Sequence, residues 1–327
     1  MTSSVTSAER MSIVVSVTDV GRGNQGRTRS AQPSASGYGD LAREGWFTAL
    51  LREATAVDAE LILAGDLGAQ SSALTAAARE QGVALRVIPA PNTSLTPQLW
   101  GLGLAASERE IVAFSINQCV VVSGWARAIL DGLAHGDAGV GGTLDLADQT
   151  SLTGQAIYFL RYSAFLGVRE KARREVRDIA GDNAAYRRDV LSRYGPYDHG
   201  FWEIEAHHWL RADCHTLALV PGMEATFGGS PGLWPFMRQR FAHGRHFGAW
   251  RATAGGRSPW KIVLAAPLVP FVFLVRTARR VAGRPGSVAR LMACATPFLL
   301  LASAWAAGEA AGALEPGRRR LPSSTPL

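Results

Sequence analysis

Residues 112–125 read VAFSINQCVVVSGW. An apolar run gives way to Ser115, Ile116, Asn117 and Gln118, turns apolar again, and ends in Gly-Trp. A short apolar run with turn signals on both sides reads as a buried strand. Here it leads into a loop, and Gly124-Trp125 reads as the start of a helix over 124–134.

The same alternation extends on both sides. MSIVVSVTD (11–19), AELILAGD (59–66), VALRVIPA (83–90) and REIVAFS (109–115) read as strands, with a fifth at AGVGGTL (138–144). Helical spacing covers 40–54, with Asp40 as N-cap, and also 69–81 and 96–106. Residues 20–40, rich in Gly, Ser and Arg, read as a long mobile loop. Strands alternating with helices predict an α/β fold, a mostly parallel, Rossmann-like sheet covered on both faces. Such sheets bind ligands at the carboxyl ends of their strands. The loops opening at Asp19, Asp66 and Ser115 lie on that edge. No G-x-G-x-x-G follows the first strand, which argues against a dinucleotide dehydrogenase.

Composition limits the remaining classes. The chain has 327 residues, 47% of them apolar, and a formal charge of +7. From Arg251 onward it carries eleven Lys/Arg against two Glu, so the rest of the chain is slightly acidic. Basic residues interleaved with apolar runs predict an anionic membrane surface as partner and no nucleic acid. Cys119, Cys214 and Cys294 are too few and scattered for a disulfide framework, and a reducing, cytosolic setting is expected. The polar first residues carry no apolar signal segment. No repeat of fixed period is visible. Residues 1–10 are expected to form a disordered N-terminus, 11–250 the folded domain, and 251–327 an apolar, basic helical tail.

Beyond residue 150 the pattern changes. A basic stretch over 161–178 reads as helical and precedes AGDNAAYRRDVLSRYGPYD (180–198), in which Asp182 would cap a helix over 183–193. GFWEIEAHHWLRAD (200–213), a strand-like TLALVP (216–221) and RQRFAHGRHFG (238–248) follow.

Four of these blocks, in order, resemble the family-2, GT-A fold inverting glycosyltransferases. They are SIVVSVTD, ELILAGD, REIVAFSINQCVVVSGW, and GDNAAYRRDVLSRYGPYD with GFWEIEAHHWLRAD. The resemblance spans roughly residues 11–250. It implies a nucleotide-diphosphate sugar as donor and a hydroxyl or phosphate acceptor, lipid-linked or a glycan of the cell-envelope or exopolysaccharide kind. By position, Thr18 and Asp19 would reach the nucleotide, Asp66 the base, and Asp182 and Asn183 the sugar. Ser115, Asn117 and Gln118 stand where the family's DxD motif holds a metal, and none is a carboxylate. Mg²⁺ or Mn²⁺ would be held weakly there, through the diphosphate, so no protein metal ligand is assigned. Glu203 falls at the general base, with Glu205 the second candidate. As a bland alternative, Glu203 is a first-turn acid favoured by the helix dipole.

An inverting transfer needs a carboxylate to take the acceptor's proton and positive charge for the departing diphosphate. Arg238, Arg240, His243 and Arg245 could supply that charge, since arginine forks suit phosphate oxygens; otherwise they form a solvated helix face. Six histidines lie between His199 and His246. Gly244 weakens a helix between His243 and His246, and no H-E-x-x-H is present, which disfavours zinc. Two other classes stay open. One is an inactive relative that binds a nucleotide sugar or a partner enzyme. The other is a nucleotidyltransferase using GRGNQGRTR (21–29).

In the tail, IVLAAPLVPFVFLV (262–275) spans about 21 Å as a helix, short of the ~30 Å hydrocarbon core. LMACATPFLLLASAWAAG (291–308) is just long enough to cross. A two-pass hairpin would export the arginine-rich linker, against the positive-inside tendency. A monotopic or re-entrant anchor at the cytoplasmic face of the membrane is therefore expected. A true hairpin, which the resemblance favours, and helices folded back on the protein or forming a homodimer contact remain alternatives.

Overall fold

The computed structural model describes residues 10–18, 45–166, 172–254 and 256–315. The expected disordered N-terminus as far as residue 9, the loop over 20–40, Asp19 and the Asp40 cap lie outside the described residues. In chain order the elements begin β1 (Met11–Val17), α1 (Trp46–Val57), β2 (Glu60–Gly65), α2 (Gln70–Glu80), β3 (Leu85–Pro89) and α3 (Thr96–Ala106). Then come β4 (Ile111–Ile116), β5 (Cys119–Val121), α4 (Trp125–Leu133), β6 (Gly139–Gly141), β7 (Leu144–Leu146) and α5 (Leu152–Tyr162). They continue with β8 (Arg174–Val176), β9 (Ala184–Arg187), α6 (Arg188–Ser192), α7 (Glu203–Ala212), β10 (Leu217–Leu219) and β11 (Ala225–Phe227). The last are α8 (Leu233–Thr253), α9 (Pro259–Ala265), α10 (Val269–Val281), α11 (Ser287–Ala293) and α12 (Ala295–Ala313). The chain forms two compact units.

The first unit is the expected α/β structure around a large sheet, with strand order β3-β2-β1-β4-β9-β6-β10-β8. β1 pairs in parallel with β2 and β4, and β2 with β3. β2 and β4 are buried along their whole length, as is β1 apart from its last residue. That explains why they read as continuous apolar runs rather than alternating ones. β9 runs antiparallel to both β4 and β6. Its first residue therefore lies at the carboxyl edge of β1, β2 and β4. A small sheet, β5-β11-β7, accompanies the large one.

Two local expectations change. The helix expected over 183–193 is a one-turn 3-10 segment (Gly181–Asn183), then β9, then the short α6. Ala184, Ala185 and Tyr186 have no strong strand pattern, but the slot between β4 and β6 fixes them as strand, so tertiary pairing overrides local propensity. Asp182 therefore caps no such helix. The helix expected over 161–178 ends at Tyr162, and Arg174–Val176 instead form the edge strand β8. Arg173 holds that strand by forking onto buried Asp137, with Nε 2.7 Å from Oδ2, and Thr216 Oγ1 donates to the same carboxylate at 2.7 Å.

α4 starts as its Gly-Trp suggested. Gly124 takes φ +86°, a left-handed conformation suited to glycine. The helix's first N–H groups find an acceptor from another element. Buried Glu53 of α1 accepts from Gly124 N at 3.1 Å and Ala126 N at 3.0 Å.

The second unit is helical. α8 and α12 run side by side in parallel at glycine-limited distance. A Cβ on Gly244 would lie 2.0 Å from the Trp305 carbonyl oxygen, and one on Gly308 would lie 2.0 Å from that of Phe241. Gly248 and Gly312 meet Glu309 and Arg245 in the same way. Gly244 does not weaken α8, which runs unbroken through it; the missing side chain admits α12. Trp305 of α12 packs against Phe247 of α8 and Phe273 of α10. Arg251 pairs with Glu309, which is buried within the unit. α10 is tied to the end of α5, where Arg280 and Thr277 both donate to Ser163 Oγ, at 3.0 and 3.4 Å.

Candidate functional site

The carboxyl edge of the first unit gathers most of the residues the sequence nominated. Parallel β1 and β4 put Thr18 and Asn117 side by side. The Asn117 side chain clasps the Thr18 backbone on both sides, with Oδ1 accepting from Thr18 N at 3.3 Å and Nδ2 donating to Thr18 O at 3.5 Å. Its backbone N–H donates to Ser16 O at 3.1 Å. Asn117 thereby extends the β1–β4 ladder one residue past the strands. Ser115 is buried within β4 rather than lying in the loop, and its hydroxyl finds no partner among the described residues. Gln118 is half-buried in the turn to β5. Asp66 stands exposed at the end of β2, accepting from Gly68 N at 3.2 Å.

β9's reversed direction brings Gly181–Asn183 to this edge. Asn183 is a buried hub with both polar atoms of its side chain engaged. It donates to Thr143 O (3.1 Å) and Met223 O (2.7 Å), and accepts from Trp125 Nε1 (2.8 Å). Asp182 beside it is also buried.

Glu203 reaches the same place through Trp100 of α3. Trp100 Nε1 donates to Ser115 O at 3.0 Å, which fixes the ring under the end of β4. Gly181 lies flat on that ring. A Cβ there would sit 2.8 Å from the indole's six-membered ring and 3.3 Å from the Glu203 carboxyl carbon. The start of α7 is held by the loop before it. Phe201 N donates to Pro97 O at 2.7 Å, and Gly200 (φ +107°) presses against Pro97 and Gln98, where a side chain would clash. The buried Phe201 ring stacks on Phe114 of β4 at 4.6 Å. Ser115 and Gly181 thus meet at one indole, with the Glu203 carboxyl group close to Gly181. Glu205, two residues on, projects about 200° around the helix, so the two carboxylates do not share a face.

One turn below Glu203, His207 is buried. Its Nε2 lies 2.7 Å from the Tyr186 hydroxyl, and its Nδ1 lies 3.3 Å from Asp178 Oδ1. Arg211 donates to the same Asp178 oxygen at 2.8 Å. Burial pushes the His207 pKa below its usual 6.5, although Asp178 opposes the shift. Desolvation works against the Asp178 carboxylate, yet His207 and Arg211 hold its pKa below the usual value. Burial, reinforced by the Glu203 charge, pushes the Tyr186 phenol well above its usual value. The lowered pKa favours the neutral imidazole for His207. Neither Trp100 nor this Tyr186–His207–Asp178 chain was nominated from sequence. A lone Trp at a helical position, and a His among six, carry no signal until the fold pairs them.

The remaining nominated residues belong to the second unit. On the continuous α8, Arg238 and Arg245 share one face, and Arg240 and His243 share another. Arg238 is exposed, Arg240 is buried over the Phe236 ring at 5.0 Å, and Arg245 pairs with Glu315. Burial, with Arg240 nearby, lowers the His243 pKa. The donors where the sequence resemblance would put a metal do not fit a divalent cation. They include no carboxylate, Ser115 is buried in a strand, and the Asn117 amide is engaged by Thr18.

The chain is similar in fold to a structure of S. aureus TarS 1-349 in complex with UDP-GlcNAc, with 9% identity and a TM-score of 0.47, covering 71% of this chain and 65% of that one. For GalNAc-T7 with UDP, GalNAc and Mn2+, the values are 13% identity, a TM-score of 0.44, and 75% and 51% coverage. For S. aureus TarS 1-349 in complex with UDP, they are 10%, 0.45, and 89% of each chain. The chain therefore spans less than two thirds of the first two structures. No family model and no curated protein matches the chain.

Proposed function

We propose that this protein is an inverting glycosyltransferase that moves a sugar from a nucleotide-diphosphate sugar to a hydroxyl or phosphate acceptor. The observation that carries the reading is the Glu203 carboxyl group, held against Gly181 and Trp100 at the carboxyl edge of the sheet, beside Asp182. At that edge a carboxylate can take the acceptor's proton as its oxygen displaces the nucleoside diphosphate from the anomeric carbon. The bond from anomeric carbon to diphosphate oxygen breaks as the bond to the acceptor forms. One displacement inverts the centre. Thr18 and Asp66 line the nucleotide side and Asp182 the sugar side, with Asn183 holding that corner in place through Thr143, Met223 and Trp125. With no carboxylate at the metal position, metal dependence is weak or absent.

The expected result is that Glu203→Gln lowers transfer by about 10²–10⁴-fold and leaves nucleotide-sugar binding unchanged by calorimetry. If Glu203 were only a first-turn acid, the change would cost at most about 1 kcal/mol of stability and leave activity intact, which would overturn the assignment. A second reading is favoured by the neutral residues Ser115, Asn117 and Gln118: an inactive protein that keeps the fold to bind a nucleotide sugar or a partner enzyme. Transfer from no member of a panel of UDP- and GDP-sugars, with binding retained, would select it. Titration with Mn²⁺ and then EDTA separates the metal question from both.

A further inference from the structure

Helices normally bury their apolar face, but α9 and α10 expose theirs. Between them runs a single 3-10 turn, Ala266–Leu268, so Pro259–Val281 forms one long helical rod. Trp260, Leu264, Leu268, Phe271, Val272 and Val275 recur at helical spacing and are 47–76% exposed. At about 100° per residue they fall within one third of the circumference. Ile262, Pro270, Thr277 and Val281, on the opposite side, are buried in the second unit. The stripe is therefore a surface, not an unfilled core.

Cations bracket the stripe. Arg257 and Lys261 lie exposed at one end, and Arg276 and Arg279 at the other. Phe271, Val272 and Val275 form the apolar floor of a shallow groove of about 380 Å³, rimmed by Arg276 and Arg279. An apolar floor with a guanidinium rim matches an acyl chain under a phosphate headgroup. A protein partner that buried the stripe would also have to neutralise cations at both ends, whereas an anionic lipid surface supplies negative charge everywhere.

The stripe's direction is fixed by what lies behind it. The exposed stripe from Trp260 to Val275 covers about 22 Å of a 23-residue helix, Pro259–Val281, that is long and apolar enough to cross a membrane. Its back is packed against protein, and Arg280 and Thr277 tie it to Ser163. The second apolar segment of the tail offers no matching face. α12 buries Phe298, Leu301, Ala302, Ala306, Gly308 and Glu309 within the unit, with α8 closed against it.

We propose that the exposed face of α9–α10 docks the protein in the plane of an anionic phospholipid surface. Trp260 and Phe271 enter the headgroup–acyl boundary, and the flanking arginines contact lipid phosphates of the same leaflet. α12 remains protein core rather than a membrane span. This inference stands apart from the proposed reaction: it rests on the second unit and survives if Glu203 is not catalytic.

The test is co-sedimentation of the full chain with vesicles of phosphatidylcholine alone or of equal parts phosphatidylcholine and phosphatidylglycerol. Binding is expected to favour the anionic vesicles and to fall with salt. Arg276→Ala with Arg279→Ala should weaken it by about 25-fold, roughly fivefold per arginine. Phe271→Glu, at an exposed position, should weaken it by at least about tenfold without shifting the melting temperature. Depth is read with lipids brominated at defined acyl positions, taking the difference between the native chain and Trp260→Phe. Quenching mainly by shallow bromines is expected. Quenching mainly by deep bromines would mean a span and overturn in-plane docking. Equal binding to both vesicle types, no binding, or full binding by the variants would overturn the lipid surface. Self-association abolished by Phe271→Glu, with vesicles failing to compete, would assign the face to a second copy of the chain instead.

Discussion

At Gly181 the site depends on the absence of a side chain. Gly181→Ala would place a methyl 2.8 Å from the Trp100 ring and 3.3 Å from the Glu203 carboxyl carbon. The indole is fixed by its bond to Ser115 O and cannot withdraw cheaply. The expected outcome is a loss of about 1–3 kcal/mol in chemical denaturation, and a fall in transfer larger than that loss explains, because Glu203 must move. Tyr186→Phe removes the hydroxyl bonded to His207 Nε2 and leaves a buried ring nitrogen unsatisfied. It should cost about 1–3 kcal/mol, read from the urea midpoint. Glu203 was nominated from the resemblance of its contiguous block, GFWEIEAHHWLRAD, to a family block. Trp100 and Asp178 were not, since each acts through a partner distant in sequence.

Among the elements, β9 does the most to assemble the site. It is a four-residue strand set antiparallel between β4 and β6, and its direction carries Asp182 and Asn183 to the edge where β1, β2 and β4 end. Its sequence looks helical, and only the slot in the sheet makes it a strand. α7 is positioned by packing: Phe201 stacks on Phe114 and meets Tyr186 and Tyr197 edge-on. Phe201→Ala should cost about 3–5 kcal/mol and disorganise the start of α7, measurable as lost thermal stability together with lost activity. In the second unit, Gly308→Val would drive a side chain into the Phe241 carbonyl. Because backbone meets backbone there, no side-chain rotation relieves it, and a loss of about 3 kcal/mol or more is expected from calorimetric melting.

For the molecule as a whole, acid should be the destabilising direction. The His207 pKa is lowered in the folded state, so the unfolded chain binds the extra proton first. Its contribution is present above 6.5 and is lost as pH falls below that value. Asp178 and Asp137, held below the usual 3.8, add losses of the same sign at lower pH. Glu309 has the opposite sign, since burial raises its pKa against the pull of Arg251. Urea midpoints should therefore fall as pH drops from 7 to 5, a range about the His207 transition, and His207→Phe should flatten that slope. The sequence by itself determined the α/β alternation, the strand-end edge that carries Thr18, Asp66 and Asn117, and the apolar, basic character of the tail. These are periodicities of neighbouring residues, set by the burial each position needs. Only the tertiary structure decided the direction of β9, the convergence of Trp100, Gly181 and Glu203, and which apolar helix of the tail is buried and which exposed. Each of these rests on contacts between residues far apart in the chain, where packing and hydrogen-bond pairing outweigh local propensity.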